Sequence, residues 1–412
     1  MNPDPLALAA RRLARRLDEL GRVSDERGRL TRTFLSPAMR RANRLVAGWM
    51  RAAGLTVRED GVGNLIGRAA GTTPGARTLL LGSHLDTVKN AGRFDGPLGV
   101  LLPITALAEL RRRGIQLPFA AEVLGFSEEE GVRFASAYIG SKGFTGTLGA
   151  ADLARRDGKG TTVQAALDAF GRKPFVLPRP AHRKSELLGY LEVHIEQGPV
   201  LEAKRAAVGV VSAIAGQTRG QIVFRGRAGH AGTTPMAQRR DALAGAAEWI
   251  LSVEALARRK APLVATVGTA AVSPGAPNVI PAEATLSLDL RHPRDGERRR
   301  ALRTLLTAGR KIARNRRLTF TWRRTQDDNA VACSPELTRR LAASVRAVQG
   351  RPLALVSGAG HDGVVVSALA PVAMLFVRCH RGLSHHPDEF AAPKDLETAL
   401  RVVVDFLTQF PA

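Results

Sequence analysis

The chain has 412 residues, 44% of them hydrophobic and 24% charged, with a formal net charge of +24. This length suits two domains and this composition is that of an ordinary globular protein, which excludes fibrous and disordered classes. No apolar run approaches the roughly 20 residues that span a bilayer, and the opening Met1-Asn2-Pro3-Asp4-Pro5 lacks the basic lead of a secretory signal.

Taken in chain order, Leu6 to about Leu20 alternates Leu and Ala with Arg at helical spacing. A second helix, from about residue 36 to 53, is announced by Ser36-Pro37, an N-cap followed by proline at the first helical position. Short strands follow near 56–59 and 65–68. The apolar run of residues 78–83 ends in Gly-Ser and predicts a strand covered on both faces. A helix over 99–113 and a second buried strand over 120–126 complete an α/β rhythm with a largely parallel sheet. From about Thr218 the pattern changes to strand, helix (241–259), strand (263–271), strand (284–291), helix (297–315), strand (318–323). This is the βαββαβ order of a ferredoxin-like α+β unit. After about Gln326 the α/β rhythm resumes, with a helix over 334–349, a strand over 372–377 and a helix over 394–407. The expected domains are therefore a discontinuous α/β/α domain, 1–215 with 327–412, and an inserted domain, 216–326.

The charge raises the question of a nucleic-acid partner. The Arg residues are spread over every segment and aromatic residues make up only 5%, so no nucleic acid is expected, and attraction of small anions is the more natural consequence. The two cysteines, Cys333 and Cys379, are far apart and lack a C-x-x-C partner, which fits a reducing, cytoplasmic setting without disulfides.

The chemistry gathers where strands end, the edge at which open α/β sheets bind ligands. His84 and Asp86 leave one strand end two residues apart, and Asp95 follows in a Gly-flanked loop. Glu128, Glu129 and Glu130 stand directly after the second buried strand, where acids facing a crevice bind a cation or share a proton. Glu192, His194 and Glu196 alternate on one face of a period-two segment. His385 and His386 follow the last strand, and His230 lies in a Gly-rich loop of the insertion.

These segments, GSHLDTV with FDG, EEGVRF, HIEQGPVLE, GHAGTTPM, PNVIPAEATLSLDLR, SGAGHDG and GLSHHPDE, run in order along nearly the whole chain. They resemble the M20 metallopeptidase superfamily, and more narrowly its allantoate amidohydrolase / N-carbamoyl-L-amino-acid hydrolase branch. The resemblance implies a zinc-peptidase-like α/β/α catalytic domain with an inserted dimerisation or lid domain, working as a homodimer on a small carboxylate substrate. It implies two divalent ions (Zn, Mn, Co or Ni) bridged by Asp95, with His84 and His194 on one and Glu130 and His385 on the other. His386 competes with His385 for the last place. Glu129 matches the general base, Asp86 the carboxylate that orients His84, and His230 a residue reaching across a dimer interface to the scissile carbonyl. Gln197, Asn278 and Arg291 match substrate contacts, with Arg291 on a carboxylate. A dipeptidase or aminoacylase of the same superfamily, or a non-catalytic binder on the same fold, are the competing expectations. Dipeptide cleavage would mark the first and absence of bound metal the second.

Overall fold

The computed structural model describes residues 4–171 and 174–411. Its helix starts follow local chemistry. Asp4 caps the helix Pro5–Gly21 through Leu6 N, Ser36 caps Pro37–Ala52 through Met39 N, and Ser334 caps Pro335–Gln349 through Leu337 N. Each has proline at the helix start, where the missing N–H costs nothing.

The chain divides into two compact units, residues 1–212 with 333–412, and residues 213–332. The first unit holds strands β1 (Thr56–Glu59), β2 (Leu65–Ala69), β3 (Thr78–His84), β4 (Ala120–Phe126), β5 (Leu187–Ile195) and most of β6 (Val208–Ile214). The second holds β7 (Gly216–Arg225), β8 (Val264–Thr266), β9 (Ala270–Ser273), β10 (Glu283–His292), β11 (Thr319–Asp328) and β12 (Val331–Ala332), which pairs with the end of β6. The chain then returns to the first unit for β13 (Ala354–Ser357) and β14 (Val372–Val377).

In the first unit the sheet order is β1-β2-β4-β3-β5-β14-β6, with β13 beside β6. The central run β4-β3-β5-β14 is parallel, and the flanking pairs are antiparallel. Every residue of β3, β4 and β14 is buried, as expected when helices cover both faces. The helix Pro97–Arg112, apolar on nearly all sides, packs on β3, β4 and β5 beneath the helices Pro5–Gly21 and Pro393–Gln409. The carboxyl ends of the four parallel strands therefore open on one edge, carrying His84, residues 127–130, His194 and the loop after Val377.

The second unit is an antiparallel sheet of order β11-β7-β10-β8, with β9 also paired to β10, covered by the helices Ala242–Arg259 and Asp295–Asn315. Counted along the insertion this is strand order 4-1-3-2, the ferredoxin-like arrangement. One expectation is corrected. The single strand over 263–271 is two strands, because Ser287 Oγ accepts both Gly268 N (3.1 Å) and Thr269 N (2.9 Å) in place of a ladder partner. Among the described residues no helix is long and apolar enough to cross a membrane.

Candidate active site

Three strand ends and one loop bring the sequence-predicted residues of the first unit together. His84 ends β3 and His194 lies one residue from the end of β5. Each directs Nδ1 at a backbone carbonyl, His84 at Asp86 O (3.1 Å) and His194 at Ile195 O (2.9 Å). With Nδ1 protonated and donating there, each Nε2 presents a lone pair. Both lone pairs face Asp95 Oδ1, at 3.8 Å from His84 and 3.1 Å from His194. The other oxygen, Asp95 Oδ2, faces His385 Nε2 at 3.2 Å, and that nitrogen lies 3.7 Å from Glu130 Oε1. Asp95 thus stands between two donor sets, His84 with His194 and Glu130 with His385. In each of the groups His84–Asp95–His194, Asp95–Glu130–His385 and His84–Glu129–Glu130, the potential ligand atoms lie within 4.8 Å of one another. His386 is turned away, its Nδ1 accepting Asp388 N at 3.1 Å.

Close approach explains one glycine. Gly96 has φ +80°, and a Cβ there would meet the His84 ring at 2.4 Å, so the loop carrying Asp95 can pass the imidazole only without a side chain. Two other site residues, Gln197 and His385, hold φ +56° without being glycine. Left-handed backbone costs an L-residue about 1–2 kcal/mol, and such strain concentrates at functional positions. Gln197 Nε2 donates to Asp95 Oδ2 (3.0 Å) and Ser384 Oγ (3.1 Å), while its Oε1 is buried and unpaired.

Asp86 does more than its spacing shows. Its carboxylate lies 3.4 Å from His84 Nδ1, and it also accepts Glu129 N (3.0 Å) and Glu130 N (3.2 Å), fixing the turn that presents both glutamates. Glu196, expected on the face of His194, instead caps the helix Val200–Ala203 through Val200 N and Leu201 N. It falls beyond the strand end, where the period-two alternation no longer holds.

The electrostatics are those of a site built around cations. Burial, reinforced by Asp86, pushes the Glu128 carboxyl well above its usual range. Burial does the same to Glu129 against the pull of His84, with Glu130, Asp362 and Asp86 adding to the rise, and it raises Glu130 to about 7. Against its burial, the His194 and His385 rings, when protonated on both nitrogens, donate to Asp95 and hold its carboxyl well below the usual carboxylate range. The bond to Asp95 lifts His385 to about 9. Crowded buried carboxylates of this kind are relieved by a bound cation. Three imidazole nitrogens, a shared carboxylate and a further carboxylate, with an unpaired Gln197 oxygen beside them, fit one or more divalent metal ions.

Behind the cluster lie groups that the sequence alone gave no role. Glu192 accepts Ser83 Oγ (2.9 Å) and Gly363 N (2.9 Å), tying β5 to β3 and to the helix Gly363–Val366. The His361 ring stands edge-on to His194 at 4.5 Å between centroids, and its Nε2 is 2.7 Å from Ser357 Oγ. Arg32, fully buried, donates from Nε to Leu85 O at 2.7 Å and so steadies the turn between His84 and Asp86. The motif SGAGHDG hinted at part of this shell, and period-two spacing put Glu192 on the face of His194 without assigning it a role. Arg32 carries no distinguishing spacing.

The second unit carries the remaining three predicted residues. His230 is exposed and forms an antiparallel bridge with Val279, and Ala231 N donates to Asn278 O (3.0 Å), so the His230 loop and Asn278 are neighbours. Arg291, near the end of β10, forms a two-pronged ion pair with Asp289, Nε to Oδ1 at 2.8 Å and Nη2 to Oδ2 at 2.9 Å. Arg219 shares that carboxylate, with Nε at 2.8 Å from Oδ2.

A metal-type cluster on the carboxyl edge of a parallel sheet, with a ferredoxin-like insertion, defines a metallohydrolase architecture, and residues 80–409 match the family described as Peptidase family M20/M25/M40. The chain belongs to that family. It is 40% identical over 393 residues to an N-carbamoyl-L-amino acid amidohydrolase of Geobacillus stearothermophilus, covering 95% of this chain and 96% of the relative. It is 39% identical over 423 residues to an allantoate deiminase of Arabidopsis thaliana, covering 95% and 81%. Among solved structures, a hydantoinase/carbamoylase family amidase from Burkholderia multivorans superposes with a TM-score of 0.91 at 34% identity, covering 97% of each chain. Within the family the chain falls in this hydantoinase/carbamoylase branch.

Proposed function

We propose that this protein is a metal-dependent amidohydrolase that cleaves the ureido or carbamoyl C–N bond of a small carboxylate substrate, allantoate or an N-carbamoyl-L-amino acid, releasing ammonia and CO2. The observation that carries this reading is the placement of Asp95, whose two oxygens face two separate donor sets. Family membership and the named relatives supply the reaction class.

In this reading His84, His194 and Asp95 would hold one divalent ion and Asp95, Glu130 and His385 a second, each Zn, Mn, Co or Ni. When bound they polarise the ureido carbonyl and make water a usable nucleophile near neutral pH. Glu129 stays off the metals. It takes the proton of the attacking water and returns it to the departing nitrogen as the C–N bond breaks. Asp86 keeps the Glu129–Glu130 turn in place through both backbone N–H groups. Arg291 receives the substrate carboxylate with its guanidinium plane set by Asp289, and Gln197 and Asn278 add polar contacts. His230 donates to the oxyanion from the partner protomer of a homodimer formed through the inserted unit.

The test is ammonia release by cobalt- or manganese-reconstituted protein with allantoate, several N-carbamoyl-L-amino acids and dipeptide controls. Ammonia from a ureido substrate, abolished by chelator and restored by metal, is the expected result. Dipeptide cleavage with no ammonia would move the protein to the peptidase side of the family.

A further inference from the structure

Glu389 has no part in the ligand set, yet it touches both loops that build the site. It is 1% exposed. Its Oε1 accepts two backbone donors, Phe94 N at 2.9 Å and Asp95 N at 3.0 Å, so it grips the peptide that aims the Asp95 side chain. Its Oε2 lies 3.1 Å from Ser384 Oγ, directly before His385. Ser384 Oγ also lies 2.8 Å from Asp95 Oδ2, and Gln197 Nε2 donates to it. One carboxylate therefore spans the Asp95 loop and the His385 loop, which are nearly 300 residues apart in sequence.

Two independent features fit this contact. Gly92 faces Glu389 so closely that a Cβ at position 92 would meet its Cβ at 2.3 Å and its Oε1 at 2.4 Å. The side chains flanking the contact, Phe94 and Phe390, pack edge to face at 6.1 Å. His385 has particular need of such support. Its side chain is half exposed and its backbone is left-handed, so local preference does not hold it toward Asp95.

We propose that Glu389 is a positioning residue that fixes Asp95 and His385 relative to each other through hydrogen bonds, and so sets the affinity of the site for its second metal ion. This rests on the reading of Asp95 and His385 as metal ligands. The mechanism is geometric. Without the carboxylate, two backbone N–H groups lose their acceptor, and the Ser384 hydroxyl loses the partner that holds its loop against residues 92–95. Glutamine restores every link. Its oxygen accepts Phe94 N and Asp95 N, and its amide donates to Ser384 Oγ, leaving the hydroxyl proton to Asp95.

The experiment titrates cobalt(II) into the metal-free, full-length protein. Both equivalents are followed by visible absorption and by competition with a chelator, with thermal midpoints of the metal-free forms as the control for folding. Glu389→Ala is expected to weaken the second equivalent about 10–100-fold, the range seen when partners of metal ligands are removed. Glu389→Gln is expected to bind close to native, and Ser384→Ala to fall between them. Native-like binding by Glu389→Ala, or Glu389→Gln as weak as alanine, overturns the proposal. The first shows that the link is idle and the second that charge, not hydrogen bonding, is what matters. If Glu389→Ala does not fold, Ser384→Ala decides, and native-like cobalt binding by it overturns the proposal. Asp95→Asn and His385→Ala serve as references. If both retain two tight equivalents, the ligand reading itself fails and this inference falls with it. If they lose one while Glu389→Ala does not, only the role of Glu389 is lost.

Discussion

The carboxyl edge of β4, β3, β5 and β14 and the His230 loop of the second unit each present histidine and polar side chains, under opposite physical conditions. At the sheet edge, His84, Asp95 and His194 are almost fully buried, the two rings held by hydrogen bonds to backbone carbonyls and the carboxylate by Gln197 and Ser384. Burial there raises the cost of every uncompensated charge, which favours a cation and makes the geometry rigid. His230 and Asn278 are exposed, Arg291 is already paired with Asp289, and among the described residues none of the three belongs to a group of metal-type ligands. The difference teaches that the two sets do different work. The buried set suits a cation held before any substrate arrives, and the exposed set suits contact with what the solvent delivers.

Substitutions can break this contrast, beginning with the largest effect. Asp95→Asn is expected to abolish ammonia release and to leave at most one tight cobalt per chain by metal analysis, because one residue serves both donor sets. Glu129→Gln is expected to retain both ions while kcat falls by about two to four orders of magnitude, the range of a lost general base. A near-native rate would remove Glu129 from that role. His230→Ala should lower kcat by about 100–1,000-fold, as when one oxyanion donor is lost, with cobalt binding unchanged. Mixing inactive Glu129→Gln and His230→Ala proteins sharpens the point. A mixed dimer contains one site with an intact Glu129 and a partner-supplied His230, so activity returns on subunit exchange. No recovery despite exchange, checked with differently tagged chains, would place His230 in its own protomer's site.

The smaller effects concern protons and the substrate carboxylate. His385, lifted to about 9 by its bond to Asp95, and Glu130, pushed to about 7 by burial, both carry protons below those values. An entering metal must displace those protons. Cobalt affinity is therefore expected to rise with pH, by about tenfold per unit or more up to 9, because His84 and His194, raised against their burial by Asp86 and Asp95, add protons that the metal must also displace. A flat profile would detach these residues from the ions. Arg291→Lys is expected to raise KM about tenfold with little change in kcat, because lysine lacks the planar fork. An unchanged KM would put the carboxylate elsewhere.

Much of this was legible from residue order. Ser36-Pro37 announced a helix that Ser36 does cap, and the apolar runs 78–83 and 120–126 are the buried parallel strands β3 and β4. The strand–helix order of the insertion gave its ferredoxin-like topology, since local periodicity reports local structure directly. Other elements stayed hidden. β6 was not separated from its surroundings, and β13, four residues with mixed burial, joins the sheet only by pairing beside β6. Glu196 read as a face-mate of His194, but the strand ends before it and its carboxylate caps a helix.

By itself the sequence determined the class of chemistry, because His, Asp and Glu at strand ends have few uses other than holding cations and moving protons, and it determined the family through motifs kept in order. Only the tertiary structure decided which oxygen of Asp95 faces which histidine. It turned His385 toward Asp95 and His386 toward Asp388, and it gave Arg32, Glu192, Ser384 and Glu389 their places around the cluster. The physical reason is that a site made by three strand ends and distant loops depends on distances in space. Residues about 300 positions apart meet only after the parallel sheet has brought their strand ends to one edge.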